Sequence, residues 1–295
     1  MRSRYAIALF GLLVLCEIFV FGWPGLEGDS PKPRGFLRSA QSSPGHPTRN
    51  LYSEKMTHTP DITATFSIVA VDPENGICGA AVASKYPAVG RVVPYVRADV
   101  GAFCTQHYHV PKWGEPALDM LQQGQTPTVV IHELLKNDKD AELRQLAIID
   151  MQGRTAVHNP TNAGVDSRYW GAMTGRYYSC QGNTLTGRSV VVEMAAAYED
   201  TAGSVADRLM AALIAADCAG GDHRGRLAAG IRVAKKGVEG DWLSLHVDES
   251  DDAVLELAKK YAELEHEAKG TWRGGQLPFQ NPCPNRVKPT APATP

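Results

Sequence analysis

The sequence predicts an α+β fold, a layered sandwich in which helices lie outside two sheets. Three observations lead to this fold class: strands open the structured part of the chain, helical patterns fill its middle, and strands return before a last amphipathic helix. Because the opening strands form a hairpin and do not alternate with helices, a doubly wound parallel fold is disfavoured.

The opening hairpin is the clearest local pattern. Residues 65–71 are rich in β-branched side chains and alternate as strand residues do. Residues 72–76 contain an Asn-Gly pair, which accepts the positive φ of a tight turn. Residues 77–84 fit the partner strand, and residues 101–106 predict a third strand. The end of the second strand is therefore expected near the start of the first.

The later elements follow from apolar periodicity, every three to four residues for helices and every two for strands. The sequence predicts helices at 115–123 and 128–136, a hairpin of strands 144–150 and 153–158, helices at 189–201 and 205–217, strands at 228–233 and 243–247, and a charged amphipathic helix at 251–269.

The folded domain is predicted to span residues 63–268. Residues 24–62 and 269–295 are rich in Pro and poor in large apolar residues. Such segments cannot bury enough surface to offset chain entropy, so we interpret them as a disordered linker and a disordered tail.

The first 23 residues carry Arg2 and Arg4 before an apolar stretch, the layout of a secretory signal peptide. We therefore expect export to a periplasmic or extracellular location. The alternative is an uncleaved membrane anchor through residues 5–23, because about 20 apolar residues can span a bilayer. Glu17 within that stretch favours cleavage.

The composition excludes several classes of partner. The 295 residues have a formal net charge of -2 and no basic stripe, so no nucleic-acid partner is expected. The sequence has no phosphate-binding loop and no Cys-x-x-Cys spacing, and His107 with His109 lacks a third ligand. We therefore expect neither a metal nor another cofactor.

The cysteine count leaves the redox state of the protein open. Of the six cysteines, Cys16 would leave with a cleaved signal peptide. The odd number that remains predicts at least one unpaired thiol or an intermolecular bond. Disulfides and buried free thiols are both compatible with the sequence.

Several separated motifs together resemble one bacterial family. They are TFSIVAVD from residue 65, VASK from 82, AVG from 88, VVP from 92, VGA from 100, TQ from 105, QGNTL from 181 and AGGD from 219. In this order, over residues 65–235, they resemble the family of domain of unknown function 1028 (DUF1028). The resemblance implies an N-terminal nucleophile (Ntn) hydrolase-like superfamily and its four-layer αββα sandwich. Domains of that kind often pair, so a homo-oligomer is expected.

Two positions depart from the pattern of the resembled family. Val110-Pro111 stands where an Asn-Pro pair is usual, and Leu227-Ala228 stands where a Gln-Ser pair is usual. If the replaced polar groups shape a pocket, the substrate or the activity of this chain differs from that of its relatives.

Thr65 is the main candidate for catalysis. A threonine hydroxyl is a poor nucleophile until a base takes its proton. The α-amine of a chain that begins at Thr65 can be that base, with an ordinary pKa of ~7.7–8.0. Ala64 suits the position before a cut, but Thr65 lies too far from the apolar stretch for signal cleavage, so self-cleavage or another protease is required. The alternative is that Thr65 only opens a strand, where β-branched residues are favoured.

Supporting roles fall to polar residues at the predicted strand ends. Ser67 shares the face of Thr65. Ser84 and Lys85 end the partner strand, where Lys85 either steadies an oxyanion or is an ordinary exposed lysine. Both serines are therefore expected close to the candidate nucleophile.

The end of the third predicted strand carries three more candidates. We expect Thr105 to contribute to substrate binding. Gln106 can orient a substrate amide, and His107 can shuttle protons. A pocket lined by aromatic and imidazole groups is expected around them, from Tyr86, Tyr108, His109 and Trp113.

Two further segments contain candidates with alternative roles. Gly182 and Asn183 either present N–H groups to an oxyanion or form a plain turn. Asp222 and Arg224 are expected to form an ion pair that holds a loop, and the alternative role of Arg224 is to bind a substrate carboxylate.

The sequence thus predicts an exported Ntn-type amidohydrolase that acts on a small amide or peptide-like substrate. One alternative is a catalytically silent αββα module that binds a ligand or a cell-wall fragment, which the blocked Thr65 favours. Another is a structural module tethered to the membrane through residues 5–23.

Overall fold

The computed structural model of the protein describes residues 62–63, 65–161, 167–264 and 283. The predicted signal peptide or anchor at 1–23 lies outside these residues, as do nearly all of the predicted linker and tail. Within the described ranges, no helix is long and apolar enough to cross a membrane.

The described residues form strands and α-helices that alternate in blocks along the chain. The strands are β1 (Ile62–Thr63), β2 (Thr65–Asp72), β3 (Ile77–Ser84), β4 (Pro94–Arg97), β5 (Gly101–Tyr108), β6 (Arg144–Asp150), β7 (Thr155–His158), β8 (Tyr169–Gly175), β9 (Tyr178–Leu185), β10 (Ala228–Lys235) and β11 (Leu243–Val247). The helices are α1 (Val89–Val92), α2 (Gly114–Gln122), α3 (Pro127–Leu135), α4 (Ser189–Asp200), α5 (Val205–Cys218) and α6 (Ala253–Ala262).

The strands assemble into two antiparallel sheets. We name the first the Thr65 sheet, and its order is β11-β10-β3-β2-β9-β8. We name the second the Gln106 sheet; its order is β1-β5-β6-β7, and β4 also pairs with β5. Because β6 covers one edge of β5, β1 and β4 share the other edge. The predicted α+β class is confirmed.

Three apolar clusters hold the sheets and helices together, and β2 shows how one strand serves two of them. Phe66 and Ile68 are fully buried in a cluster with residues of α4, α5 and α6. Val69 and Val71 belong to a second cluster, which joins the two sheets. The third cluster joins α2 and α3 to the Gln106 sheet. Alternating side chains of β2 therefore bury both faces, because successive strand residues point to opposite sides.

Most predicted elements are confirmed to within one or two residues, the usual uncertainty of element boundaries. The final helix is shorter than predicted, since it ends at Ala262, and residues 265–269 of the prediction lie outside the described residues. The sequence analysis missed β1, α1, β4, β8 and β9, and it placed Ile62 of β1 in the predicted linker.

The strand β9 was missed because its buried inner face is polar. Ser179, Gln181 and Asn183 are all fully buried there, where an ordinary strand would carry apolar residues. Without apolar alternation the strand has no sequence signature. The alternative that Gly182 and Asn183 form a plain turn is wrong, because both lie inside β9.

Candidate active site

Polar residues stand side by side at one end of the Thr65 sheet. Thr65 pairs with Ser84 of β3, and Ser84 pairs in turn with Ala228 of β10. The register of β2 with β9 brings Asn183 to the other side of Thr65. Thr65, Ser84 and Asn183 are fully buried. The hairpin thus brings the candidate nucleophile and Ser84 together, as the sequence predicts.

The hydroxyl of Thr65 is oriented by its neighbour across the hairpin. Thr65 Oγ1 donates to Ser84 Oγ at 3.3 Å. Ser84 Oγ also accepts the backbone N–H of Tyr86 at 2.9 Å, which fixes its position. Ser84 therefore positions the candidate nucleophile.

The side chain of Gln106 reaches β2 from the opposite sheet. Its Oε1 accepts from Ser67 Oγ at 2.5 Å, and its Nε2 lies 3.4 Å from the backbone oxygen of Thr65. Gln181 Nε2 donates to Ser67 Oγ at 2.6 Å. These bonds fix the start of β2 against the Gln106 sheet.

Gln145 of β6 connects this network to β9, and the sequence analysis missed it. Its Oε1 accepts from Gln106 Nε2 at 2.7 Å and from Asn183 Nδ2 at 2.9 Å. Its Nε2 donates to Asn159 Oδ1 at 2.8 Å and to the backbone oxygen of Gly182 at 2.9 Å. One glutamine thus holds the amides of Gln106 and Asn183 in place. Its only sequence signal is a polar residue beside an apolar strand run.

The side chain of His107 is buried. Its backbone has a φ of 64°, in the left-handed region that residues other than glycine rarely adopt. Its Nδ1 lies 2.6 Å from the carbonyl oxygen of Leu143. Since a carbonyl oxygen only accepts, Nδ1 carries the proton and Nε2 is the basic nitrogen. Burial lowers the pKa of His107, and the charges of Arg224 and Arg144 lower it further, against the opposing effect of the Leu143 hydrogen bond. The ring is therefore neutral at pH 7.

Comparison with known proteins assigns the chain to a family. The model described as "Family of unknown function (DUF1028)" matches residues 65–257, well over half of the chain. The chain belongs to the DUF1028 family. It is similar to protein SPO2555 of Silicibacter pomeroyi, a crystal structure described with the same family, at 29% identity and a TM-score of 0.61. That similarity covers 68% of the present chain and 88% of the SPO2555 chain. No curated protein matches.

Two of the predicted site residues in the DUF1028 domain, Thr105 and Lys85, form hydrogen bonds with groups other than the Thr65 hydroxyl. Thr105 is buried, and its Oγ1 accepts the backbone N–H of Val110 at 3.0 Å. The side chain of Lys85 is exposed, while its backbone N–H donates to Asp222 Oδ2 at 3.3 Å. The catalytic role of Lys85 stays a prediction. In the described part of the chain, the one hydrogen bond seen for Lys85 is made by its backbone and not by its ammonium group.

Asp222 and Arg224 form the predicted ion pair, which secures the loop after α5. Arg224 Nε and Nη2 donate to the two oxygens of Asp222 at 3.2 and 2.9 Å, and the Arg224 backbone N–H adds a third bond at 2.9 Å. Asp222 is fully buried, whereas 33% of the Arg224 side chain is exposed. A buried carboxylate needs such pairing. The exposed part of Arg224 keeps the substrate-carboxylate role open as a prediction.

The aromatic and imidazole residues expected around the site make contacts with other side chains. Tyr86 and His109 pack edge to face with ring centroids 5.6 Å apart, and the Arg144 guanidinium lies 5.7 Å from the Trp113 ring. Across the described part of the DUF1028 domain, no group of three or more His, Cys, Asp and Glu side chains is placed to hold a metal ion.

Proposed function

We propose that the protein is an exported amidohydrolase of the Ntn type, with Thr65 as its nucleophile. One observation carries the proposal: Thr65 is the first residue of β2, whereas Ile62 and Thr63, just before it, belong to the other sheet. The chain therefore passes from one sheet to the other between Thr63 and Thr65. The family match also begins at this residue.

The apolar clusters support the four-layer αββα arrangement that an Ntn-type fold requires. One cluster joins helices to the Gln106 sheet, the next joins the two sheets, and the last joins the Thr65 sheet to helices. The polar residues around Thr65 then lie between the two sheets, at one end of the surface along which the sheets contact each other.

The proposed reaction starts after the bond before Thr65 has been cut. The free α-amine accepts the proton of Thr65 Oγ1, and the oxygen bonds to the carbonyl carbon of the substrate amide. The C–N bond then breaks, and the leaving amine takes the proton. Water hydrolyses the resulting ester, which releases the acid and restores the hydroxyl. Asn183 has a second amide N–H beside the one it donates to Gln145, and we assign it to the developing oxyanion.

The silent binding module remains the second candidate, and one feature favours it. Ala228 stands beside Ser84 in the row of residues that includes Thr65, so this strand contributes an apolar side chain there. A site without the polar group that the family resemblance leads one to expect can bind a ligand without acting on it.

N-terminal sequencing and intact-mass measurement of the exported native protein test the processing step. The enzyme proposal expects a mature chain that begins at Thr65. Variants of the mature protein test the nucleophile. Thr65→Val removes the hydroxyl and should lower amidase activity by about 10³-fold or more, whereas Thr65→Ser should retain activity. Thr128→Val, a change at an exposed threonine of α3, is the matched control. Full activity in Thr65→Val, or in a chain that keeps residues 61–64, contradicts the proposal.

Export itself is proposed from the N-terminal pattern, and the Cys218–Cys283 disulfide supports it because disulfides persist mainly in oxidising compartments. Fractionation of the source cells separates a released protein from one that is tethered through residues 5–23. A protein found only in the cytosol contradicts export.

A further inference from the structure

Residues 62 and 63, the described part of the segment just before Thr65, are held by strand pairing, and we call that segment the leader. Ile62 pairs with Tyr108 and Thr63 with His107, both on β5, along the edge whose other half is covered by β4. The chain then crosses to the Thr65 sheet and β2 begins. The leader therefore approaches the candidate nucleophile as an added antiparallel strand.

Removal of the leader uncovers a short stretch of β5. The N–H of Thr105 already donates to the backbone oxygen of Val93 at 3.4 Å, and residues 62–63 pair only with His107 and Tyr108. The uncovered part is therefore residues 107–108. An open strand edge presents unpaired N–H and C=O groups and is a template for another strand. Backbone pairing depends little on side chains, so a peptide in trans can take the place of the leader.

We infer that residues 107–108 of β5 bind the acyl side of an extended peptide substrate by strand addition. The inference rests on the proposed function, since this edge opens only in a chain that begins at Thr65. The leader gives the polarity: it runs antiparallel to β5, and its last carbonyl is joined to Thr65. A peptide in the same place delivers the carbonyl of the residue at position 64 to the Thr65 hydroxyl. The substrate class is thus an extended peptide, cleaved after that residue.

Binding is measured on a chain that is folded before it is cut. Residues 61–64 are replaced by Ile-Glu-Gly-Arg, and factor Xa then frees Thr65. The probe is a labelled peptide of residues 57–64, Thr-His-Thr-Pro-Asp-Ile-Thr-Ala, with a free carboxylate, and its affinity is read by fluorescence anisotropy. The uncut form of the same chain is the matched control. The cut chain should bind the probe at least about tenfold more tightly than the uncut chain, in which the leader occupies the edge.

Methylation of single backbone nitrogens in the probe tests strand addition itself. In an antiparallel ladder, neighbouring residues point their N–H groups alternately toward and away from the partner strand. N-methylation at the position of Ile62 and N-methylation at that of Thr63 should therefore differ, one weakening binding by about tenfold or more and the other by less than about threefold. Equal effects at both positions, or equal binding to cut and uncut chains, overturn the inference.

The outcomes also separate this inference from the proposed function. A cut chain that hydrolyses small amides but does not bind the probe contradicts strand addition and supports the hydrolase. A cut chain that binds the probe with the alternating pattern, yet cleaves no peptide amide that continues past position 64, supports the peptide site and contradicts catalysis by Thr65.

Discussion

At the scale of residues, the candidate nucleophile is held by a network that spans the two sheets. Ser67, Gln106, Gln145 and Asn183 are fully buried and hydrogen-bond to one another or through a shared partner. A buried amide that loses its partner costs about 1–3 kcal/mol, so each member restrains the others. The network supplies a rigid base for Thr65, and Gln145 joins its members from the two sheets.

We predict that Gln145→Leu lowers the free energy of unfolding by about 2–4 kcal/mol, because it removes the oxygen that accepts from both the Gln106 and the Asn183 amide groups. Gln123→Leu, a change of the same kind at an exposed position after α2, should stay within about 0.5 kcal/mol of the wild type. Urea denaturation of both variants measures the difference. A loss below about 1 kcal/mol in Gln145→Leu would mean that the network relaxes around the change.

The low pKa of His107 predicts a pH-dependent stability. The folded state holds the ring neutral, whereas the unfolded chain protonates it near its ordinary pKa of about 6.5. The unfolded state therefore binds more protons just below that pH, and stability is lost as the pH falls from about 6.5 toward the lowered pKa. Relative to His107→Asn, which keeps an N–H donor for Leu143 and tolerates positive φ, the wild type should lose stability between pH 7.5 and 5.5. Parallel urea denaturation at both pH values makes the comparison, and equal losses would contradict it.

Part of the site follows from strand faces alone. Thr65 and Ser84 meet because a tight turn fixes the register of their hairpin. The contact of Ser67 with Gln106 needs two sheets to be stacked in one particular way, and the role of Gln145 needs a third strand as well. These contacts join residues that are far apart in the chain, so a single sequence offers no local pattern from which to predict them.

At the scale of elements, α5 begins with a reciprocal cap that also anchors α6. Ser204 Oγ accepts the N–H of Asp207 at 3.2 Å, and Asp207 Oδ2 accepts the N–H of Ser204 at 2.9 Å. The other oxygen of Asp207 accepts from the hydroxyl of Tyr261 in α6 at 2.7 Å. The buried carboxylate thus serves the helix start and a helix contact together.

We predict that Ser204→Ala lowers the free energy of unfolding by about 1–2 kcal/mol, because α5 loses its N-cap and Asp207 loses a partner. Ser189→Ala is the matched control, since Ser189 is exposed at the start of α4 and does not cap that helix. The control should change stability by less than about 0.5 kcal/mol. Thermal or urea unfolding of the two variants measures the difference, and equal effects would show that the Ser204 cap does not stabilise α5.

The success of element prediction depended on what each strand buries. The strands β2 and β3 were predicted nearly residue for residue because they are β-branched or apolar over most of their length and are joined by an Asn-Gly turn. The strands β8 and β9 carry glycines, and the buried face of β9 is polar. The buried amides of Gln181 and Asn183 in β9 are satisfied by tertiary hydrogen bonds, which local propensity does not contain.

At the scale of the whole molecule, the five cysteines among the described residues divide into two classes. Cys218 at the end of α5 forms a disulfide with Cys283, with the Cα atoms 5.3 Å apart. Cys78, Cys104 and Cys180 are buried thiols. Burial raises the pKa of Cys78 and of Cys104 to about 12 and that of Cys180 well above its ordinary value. Since the thiolate is the reactive form, these three thiols are protected in the folded protein.

Alkylation with iodoacetamide at pH 8 should therefore report the fold of the whole domain. We expect no labelling of the three buried thiols in the native protein, labelling of all three after unfolding, and labelling of Cys218 and Cys283 only after reduction, each read by peptide mass mapping.

Because the disulfide joins residues separated by 65 positions, reduction should lower the free energy of unfolding by about 2–4 kcal/mol. Cys283→Ser should behave like the reduced wild type and be insensitive to reductant. Labelling of Cys218 in the unfolded but unreduced protein would show that the two residues are not joined.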